Sequence, residues 1–122
     1  MAHRKLQNYL RVHRRRAGFS QQEVAFLLGT NSKGKVSRYE RYMRQPRLTT
    51  VFAYELIFGA PPRELFAGMF QEIERATISQ AALLASKLKR AKPERMTARK
   101  LELLGAIITA SHKRHIPHEQ AR

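Results

Sequence analysis

Residues 19–46 read FSQQEVAFLLGTNSKGKVSRYERYMRQP, and the fold of the chain turns on how this stretch divides. Its first part carries a full set of helix-start signals. Ser20 is a good N-cap, and Glu23 three residues on completes the pattern of a capping box. Phe19 before the cap and Val24 at the fourth helical position suit a hydrophobic staple. Gly29 suits the left-handed position that ends a helix. The spacing predicts a helix over 21–28, with Val24, Ala25, Leu27 and Leu28 on its buried side. A second run predicts a helix from about 33 to 43, stopped by Pro46. Val36, Tyr39 and Met43 would point inward, leaving Lys33, Lys35, Ser37, Arg38 and Arg41 on its polar surface. A short polar linker separates the two.

Working outward, residues 3–17 predict a preceding helix, with Leu6, Leu10 and His13 at helical spacing and Gly18 as its stop. Its other face is basic. After Pro46, Thr49 is a plausible cap for a fourth helix that buries Val51, Phe52, Ala53, Leu56 and Ile57 and closes at Gly59. Pro61-Pro62 opens a fifth, whose Leu65 and Phe66 would close the core. Residues 69–90 read as a longer helix, with Phe70, Ile73, Thr77, Ala81, Leu84 and Leu88 recurring every three or four positions. Lys92-Pro93 breaks it. A last helix carries Leu101, Leu104, Ile107 and Ile108 and ends near Lys113.

The expected fold is therefore all-α: a five-helix domain over 1–68, a two-helix extension over 69–114 that would serve dimerisation or extra DNA contact, and a disordered tail over 115–122. The extension is too short to hold a core of its own. Its apolar stripes must pack on each other, on the first domain or on a second copy.

Composition narrows the partners. The 122 residues carry a formal net charge of +15, with a pI near 11.3. A polyanion is the natural ligand of such a chain, because neutralising phosphates releases counterions. The excess lies in two blocks, residues 1–54 at +10 and 87–122 at +7, separated by a stretch at −2. The first block coincides with the helix pair, and a basic second helix is what a helix-turn-helix reader of double-stranded DNA requires. Cysteine is absent, which rules out disulfides and thiolate metal sites and fits a reducing, cytoplasmic setting. No apolar run is long enough to span a bilayer, and no membrane partner is expected.

Gln21 and Gln22 lie at a helix N-terminus, where backbone N–H groups favour a phosphate and a Gln amide can assist. Lys33 and Arg38 are placed to meet guanine O6 and N7 in the major groove. His112, His115 and His118 have ligand-like spacing, but Pro117 breaks the helix there and neither Cys nor Asp joins them. No metal or cofactor is expected. Catalysis lacks support: the chain has no Cys, no Asp and no Gly-rich phosphate loop, and Glu72 and Glu74 cannot share a helix face. We expect no enzyme.

Three segments then carry a family resemblance: LRVHRRRAGFSQQEVAFLLG, VSRYERYMRQP and ELIFGAPPRELF. Together they make residues 6–67 resemble the Cro and phage-repressor type of helix-turn-helix regulators, also called xenobiotic-response-element-like. The resemblance implies five helices, with the second and third reading DNA, and dimers on palindromic operators. It implies that Gln21 contacts phosphate, that Ala25 and Gly29 hold small packing and turn positions, and that Val36 is the buried aliphatic of the recognition helix. It also implies an internal ion pair between Arg14 and Glu40, which removes Arg14 from the DNA contacts. One departure stands out. Six residues, Thr30 to Lys35, separate Gly29 from Val36 where the family has five. Counting back from Val36 puts Lys33 and Gly34 at the main base-reading positions; counting forward from Gly29 shifts them by one.

The expected assignment follows. Lys33, Gly34, Ser37 and Arg38 contact bases; Gln21, Gln22, Lys35, Arg41 and Arg44 contact phosphates; Arg14 and Glu40 form a structural ion pair. The chain would be a dimeric transcriptional regulator. The alternative is an antitoxin-like or adaptor module that grips a protein through its C-terminal helices.

Overall fold

A computed structural model of the chain describes residues 6–114, with side chains for residues 6–110. The described residues form seven helices and no strand: α1 (Leu10–Ala17), α2 (Gln21–Leu27), α3 (Lys33–Glu40), α4 (Leu48–Phe58), α5 (Pro62–Leu65), α6 (Ala67–Arg90) and α7 (Thr97–Arg114). They divide into two compact units, parting after Gln71. The helix α6 begins in the first unit and runs into the second.

The first unit is built around Leu10, Val24, Ala25, Val36, Tyr39, Tyr54, Ala60, Leu65 and Phe66, with Phe19, Leu28, Val51, Phe58 and Met69 packed against them. Tyr54 lies at the centre. Its ring meets Tyr39 and Phe66 edge-on and stacks on Phe58, with centroids 6.3, 6.5 and 5.9 Å away. These are favourable arrangements of ring quadrupoles. The aromatic ladder ties α3, α4 and the α5–α6 junction together.

Helix α1 starts at Leu10, not at residue 3 as periodicity predicts, because backbone groups upstream are committed elsewhere. Tyr9 donates its N–H to Leu65 O at 2.7 Å, while the carbonyls of Leu6 and Gln7 accept from Gly68 and Met69 at 2.8 and 3.3 Å. The N-terminal arm therefore supplies acceptors for the first-turn amides of α6, groups a helix cannot satisfy internally. Asn8 pins the arm on its other side. Its Nδ2 donates to Tyr39 O at 2.9 Å and its Oδ1 accepts the Leu10 N–H at 3.1 Å.

Helix α3 ends at Glu40, short of the expected 43. Tyr42 adopts a left-handed backbone, φ 58°. The Tyr42 and Met43 N–H groups turn back to Tyr39 O and Arg38 O at 3.1 and 2.8 Å. This is the paired closure glycine usually provides, and left-handed Gly29 provides it at the end of α2, where the Gly29 N–H donates to Phe26 O and the Thr30 N–H to Ala25 O. Met43 consequently faces solvent rather than the core. Pro46 lies beyond the stop and does not cause it.

The buried face of α4 also differs from the expected one. Phe52 and Leu56 are exposed, and Tyr54 is the fully buried residue. In an apolar helix almost any stripe fits the period, so only the neighbours select one. Arg47, not Thr49, holds the N-cap position. Leu27, expected inside, is about half exposed.

In the second unit Ala81 and Glu74 are buried, while Leu83, Leu84, Leu103, Ile107 and Ile108 retain substantial exposure. Helix α7 runs from Thr97 through residue 114. The expected tail at 115–122 and the side chains of His112, His115 and His118 lie outside the described residues.

Candidate nucleic-acid interface

Helices α2 and α3 form the pair anticipated from residues 19–46. Ser20 caps α2: its Oγ accepts the Glu23 N–H at 3.0 Å, and Glu23 Oε1 accepts the Ser20 N–H at 2.8 Å. The box satisfies two backbone donors reciprocally and fixes where α2 begins. Ser32 does the corresponding job for α3, with its Oγ accepting the Lys35 N–H at 3.0 Å. The residues from Gly29 to Ser32 make the turn, and Thr30 Oγ1 accepts the Ser32 N–H at 3.3 Å. The additional residue is thus absorbed before the helix, and α3 starts at Lys33.

Burial sets the rotation of α3. Val36 and Tyr39 face inward, and the Glu40 side chain is 3 % exposed. Lys33, Arg38 and Arg41 are exposed, with Gly34, Lys35 and Ser37 half-buried between and beside them. The eight residues of α3 extend about 12 Å, two turns of helix, comparable to the width of the major groove. Gly34 leaves room on the outward side: a Cβ there would meet only Arg38 Nη1 at 3.5 Å and Ser32 Oγ at 3.7 Å. Arg41 folds its Nε back toward Ser37 O at 3.4 Å. Arg44 is exposed in the segment after the helix.

Behind this surface lies a charge pair. Arg14 Nε donates to Glu40 Oε2 at 2.6 Å and Nη2 to Oε1 at 3.2 Å, while Nη1 donates to Phe19 O at 3.1 Å. Gln21 Nε2 also donates to Glu40 Oε1, at 3.2 Å. The lone carboxylate of α3 is therefore neutralised and withdrawn from the outward face. Gln21, half-buried, is tied to that pair, whereas exposed Gln22 reaches toward Asn31 O at 3.4 Å. Charge-assisted, two-pronged bonds of this kind hold geometry as well as charge. Burial, with the Glu40 carboxylate nearby, pushes the Tyr54 hydroxyl well above the usual tyrosine range, so it stays protonated and neutral.

Two contributors escaped the sequence reading. Asn8 fastens the arm to the end of α3 at Tyr39 O. Asn31, exposed in the turn, accepts the Gln22 side-chain amide at its carbonyl at 3.4 Å. Among the described residues no group of His, Cys, Asp or Glu could hold a metal ion. No described helix is long and apolar enough to cross a membrane.

The capped α2, the four-residue turn and the outward basic α3 define a helix-turn-helix DNA-binding domain. Residues 10–65 match the family model described as Helix-turn-helix, which is that of the Cro and phage-repressor type. Neither the curated proteins nor the solved structures returned a match.

Proposed function

We propose that the chain is a sequence-specific transcriptional regulator that binds a palindromic operator in double-stranded DNA as a homodimer. The observation that carries this reading is the register of α3. Ser32 fixes its start, and Val36 and Tyr39 fix its rotation, which supports Lys33, Gly34, Ser37 and Arg38 as the residues that meet base edges. Gln21, Gln22, Lys35, Arg41 and Arg44 flank them and hold phosphates. Phosphate contacts set the docking and base contacts set the sequence.

A second copy is supported by an apolar row on α4. Leu48, Phe52 and Leu56, four residues apart along one helix face, are 66, 52 and 85 % exposed. Burying such a row in a symmetric contact would recover apolar area otherwise left in water. A protein-binding reading, antitoxin-like or adaptor, draws on the exposed Leu103, Ile107 and Ile108 of α7.

Selection of bound duplexes from a random library at stated salt tests the proposal. A palindrome with half-sites one helical turn apart, roughly 34 Å, is expected. Arg38→Ala should relax base preference, whereas Gln21→Ala should weaken binding uniformly across sequences. No enrichment, or equal loss on selected and random DNA for Arg38→Ala, overturns the assignment.

A further inference from the structure

Residues 89–100 read KRAKPERMTARK and span the end of α6, the turn at 91–96 and the start of α7. Six of these twelve residues are Lys or Arg and one is Glu. Lys89, Arg90, Lys92, Arg95, Arg99 and Lys100 are all exposed. Backbone bonds order the turn itself: Ala91 N–H to Lys87 O at 3.1 Å, Thr97 N–H to Glu94 O at 3.1 Å, and Lys100 N–H to Met96 O at 2.9 Å. Thr97 Oγ1 adds an acceptor for the Glu94 N–H at 2.8 Å. The cations contribute to none of these bonds through their side chains.

Helix electrostatics explains part of the charge and fails on the rest. Lys89 and Arg90 close α6, where the carbonyl end of a helix favours cations. Arg99 and Lys100 occupy the opening of α7, which has no acidic residue in its first turn. Cations there oppose the helix dipole instead of complementing it. The one ion pair of the described residues that touches the cluster, Arg99 to Glu102 at 3.4 Å, is exposed at both ends and gives little. A cluster that repels itself and opposes the dipole is not there for stability. It concentrates positive potential for an external polyanion.

We infer that this turn is a second phosphate-binding surface, which engages the DNA backbone without reading sequence. The inference rests on the chain acting on duplex DNA, and it needs none of the base contacts proposed for α3. Duplex DNA is the polyanion argued for because the same chain carries a DNA-binding domain. An anionic lipid surface is the alternative that the test must reject.

The test uses the full chain and compares K89Q/K92Q/R95Q with the parent on random-sequence duplex over a range of salt. Three lost phosphate contacts should flatten the slope of log affinity against log salt by about 2.7. Affinity at low salt should fall on the order of tenfold or more. The ratio of selected to random affinity should not move. The charge-keeping K89R/K92R should retain the parent slope, which separates charge from any structural effect of the substitutions. An unchanged slope in K89Q/K92Q/R95Q, or a lowered one in K89R/K92R, overturns the inference. So does a variant that loses binding to phosphatidylglycerol vesicles but keeps it on DNA. If the parent shows no sequence preference, the operator reading fails while the salt slope still decides this one.

Discussion

Arg14 and Glu40, twenty-six positions apart, meet through two hydrogen bonds of 2.6 and 3.2 Å, with side chains only 12 and 3 % exposed. The pair joins the last turn of α1 to the last residue of α3 and, through Phe19 O and Gln21, to the start of α2. It locks α3 against its two neighbours. Removing one partner strands a buried charge, which costs far more than the net contribution of the intact pair. Glu40→Gln should therefore destabilise the domain by about 3 kcal/mol. Combining it with Arg14→Met should restore a large part of that. Urea unfolding of the two single variants and the double one measures the coupling.

Tyr54 gives an alkaline signature. Its hydroxyl is buried without a hydrogen-bond partner among the described residues, and burial raises its folded-state pKa above the ordinary value of 10.0. The protonated form is the one the fold favours. Stability from this source is fully present below pH 10 and falls as pH rises from there toward the folded-state value. Tyr54→Phe should flatten the loss of stability above pH 10. At neutral pH it should be neutral or stabilising by about 1 kcal/mol, since it removes an unpaired polar group. Thermal melting across pH 7 to about 11 reads both effects.

Glycines 68 and 105 should respond in opposite directions to alanine. A Cβ on Gly68 would run into the backbone of Leu6 and Gln7, whereas one on Gly105 meets nothing within 4 Å. Gly68→Ala should push the N-terminal arm off α6 and cost about 2 kcal/mol or more, as overpacking does. Gly105→Ala lies in the interior of α7 and should gain roughly 0.5–1 kcal/mol from helix propensity. Denaturant midpoints of the two variants give the comparison.

Tyr42 holds a left-handed backbone that costs a side-chain-bearing residue roughly 1–2 kcal/mol. Tyr42→Gly should recover up to about 1 kcal/mol after the added entropy of the unfolded chain. Tyr42→Ala keeps the backbone cost and should show no gain. A rise in melting temperature confined to the glycine variant is the expected result.

Gly34 separates stability from DNA binding. Alanine fits its space in the free protein, at 3.5 Å from Arg38 Nη1, and should stabilise α3 by about 1 kcal/mol. If the outward face of α3 lies against base edges, the same methyl group obstructs the approach. Higher melting temperature with DNA affinity down on the order of tenfold is expected. Unchanged affinity would remove Gly34 from the interface.

Residues 19–46 by themselves determined the start of α2 and α3, since capping boxes, N-caps and turn glycines act within four residues. Ser20 with Glu23, Ser32 before Lys33, and Gly29 between them needed no distant partner. The all-α class followed from the same local signals. Three features were decided only by the tertiary structure. The arm at residues 6–9 gave up helix because Leu65, Gly68 and Met69, far along the chain, needed or supplied its backbone bonds. The helix α3 stopped at Glu40 in a left-handed Tyr42, a residue type that carries no stop signal. In α4, Tyr54 was drawn inside by Tyr39, Phe58 and Phe66, and Phe52 and Leu56 were left on the surface. Local rules fix where α2 and α3 begin because the groups involved are sequence neighbours. Which of several apolar faces is buried, and where the N-terminal backbone bonds, depends on contacts the linear chain does not contain until it has folded.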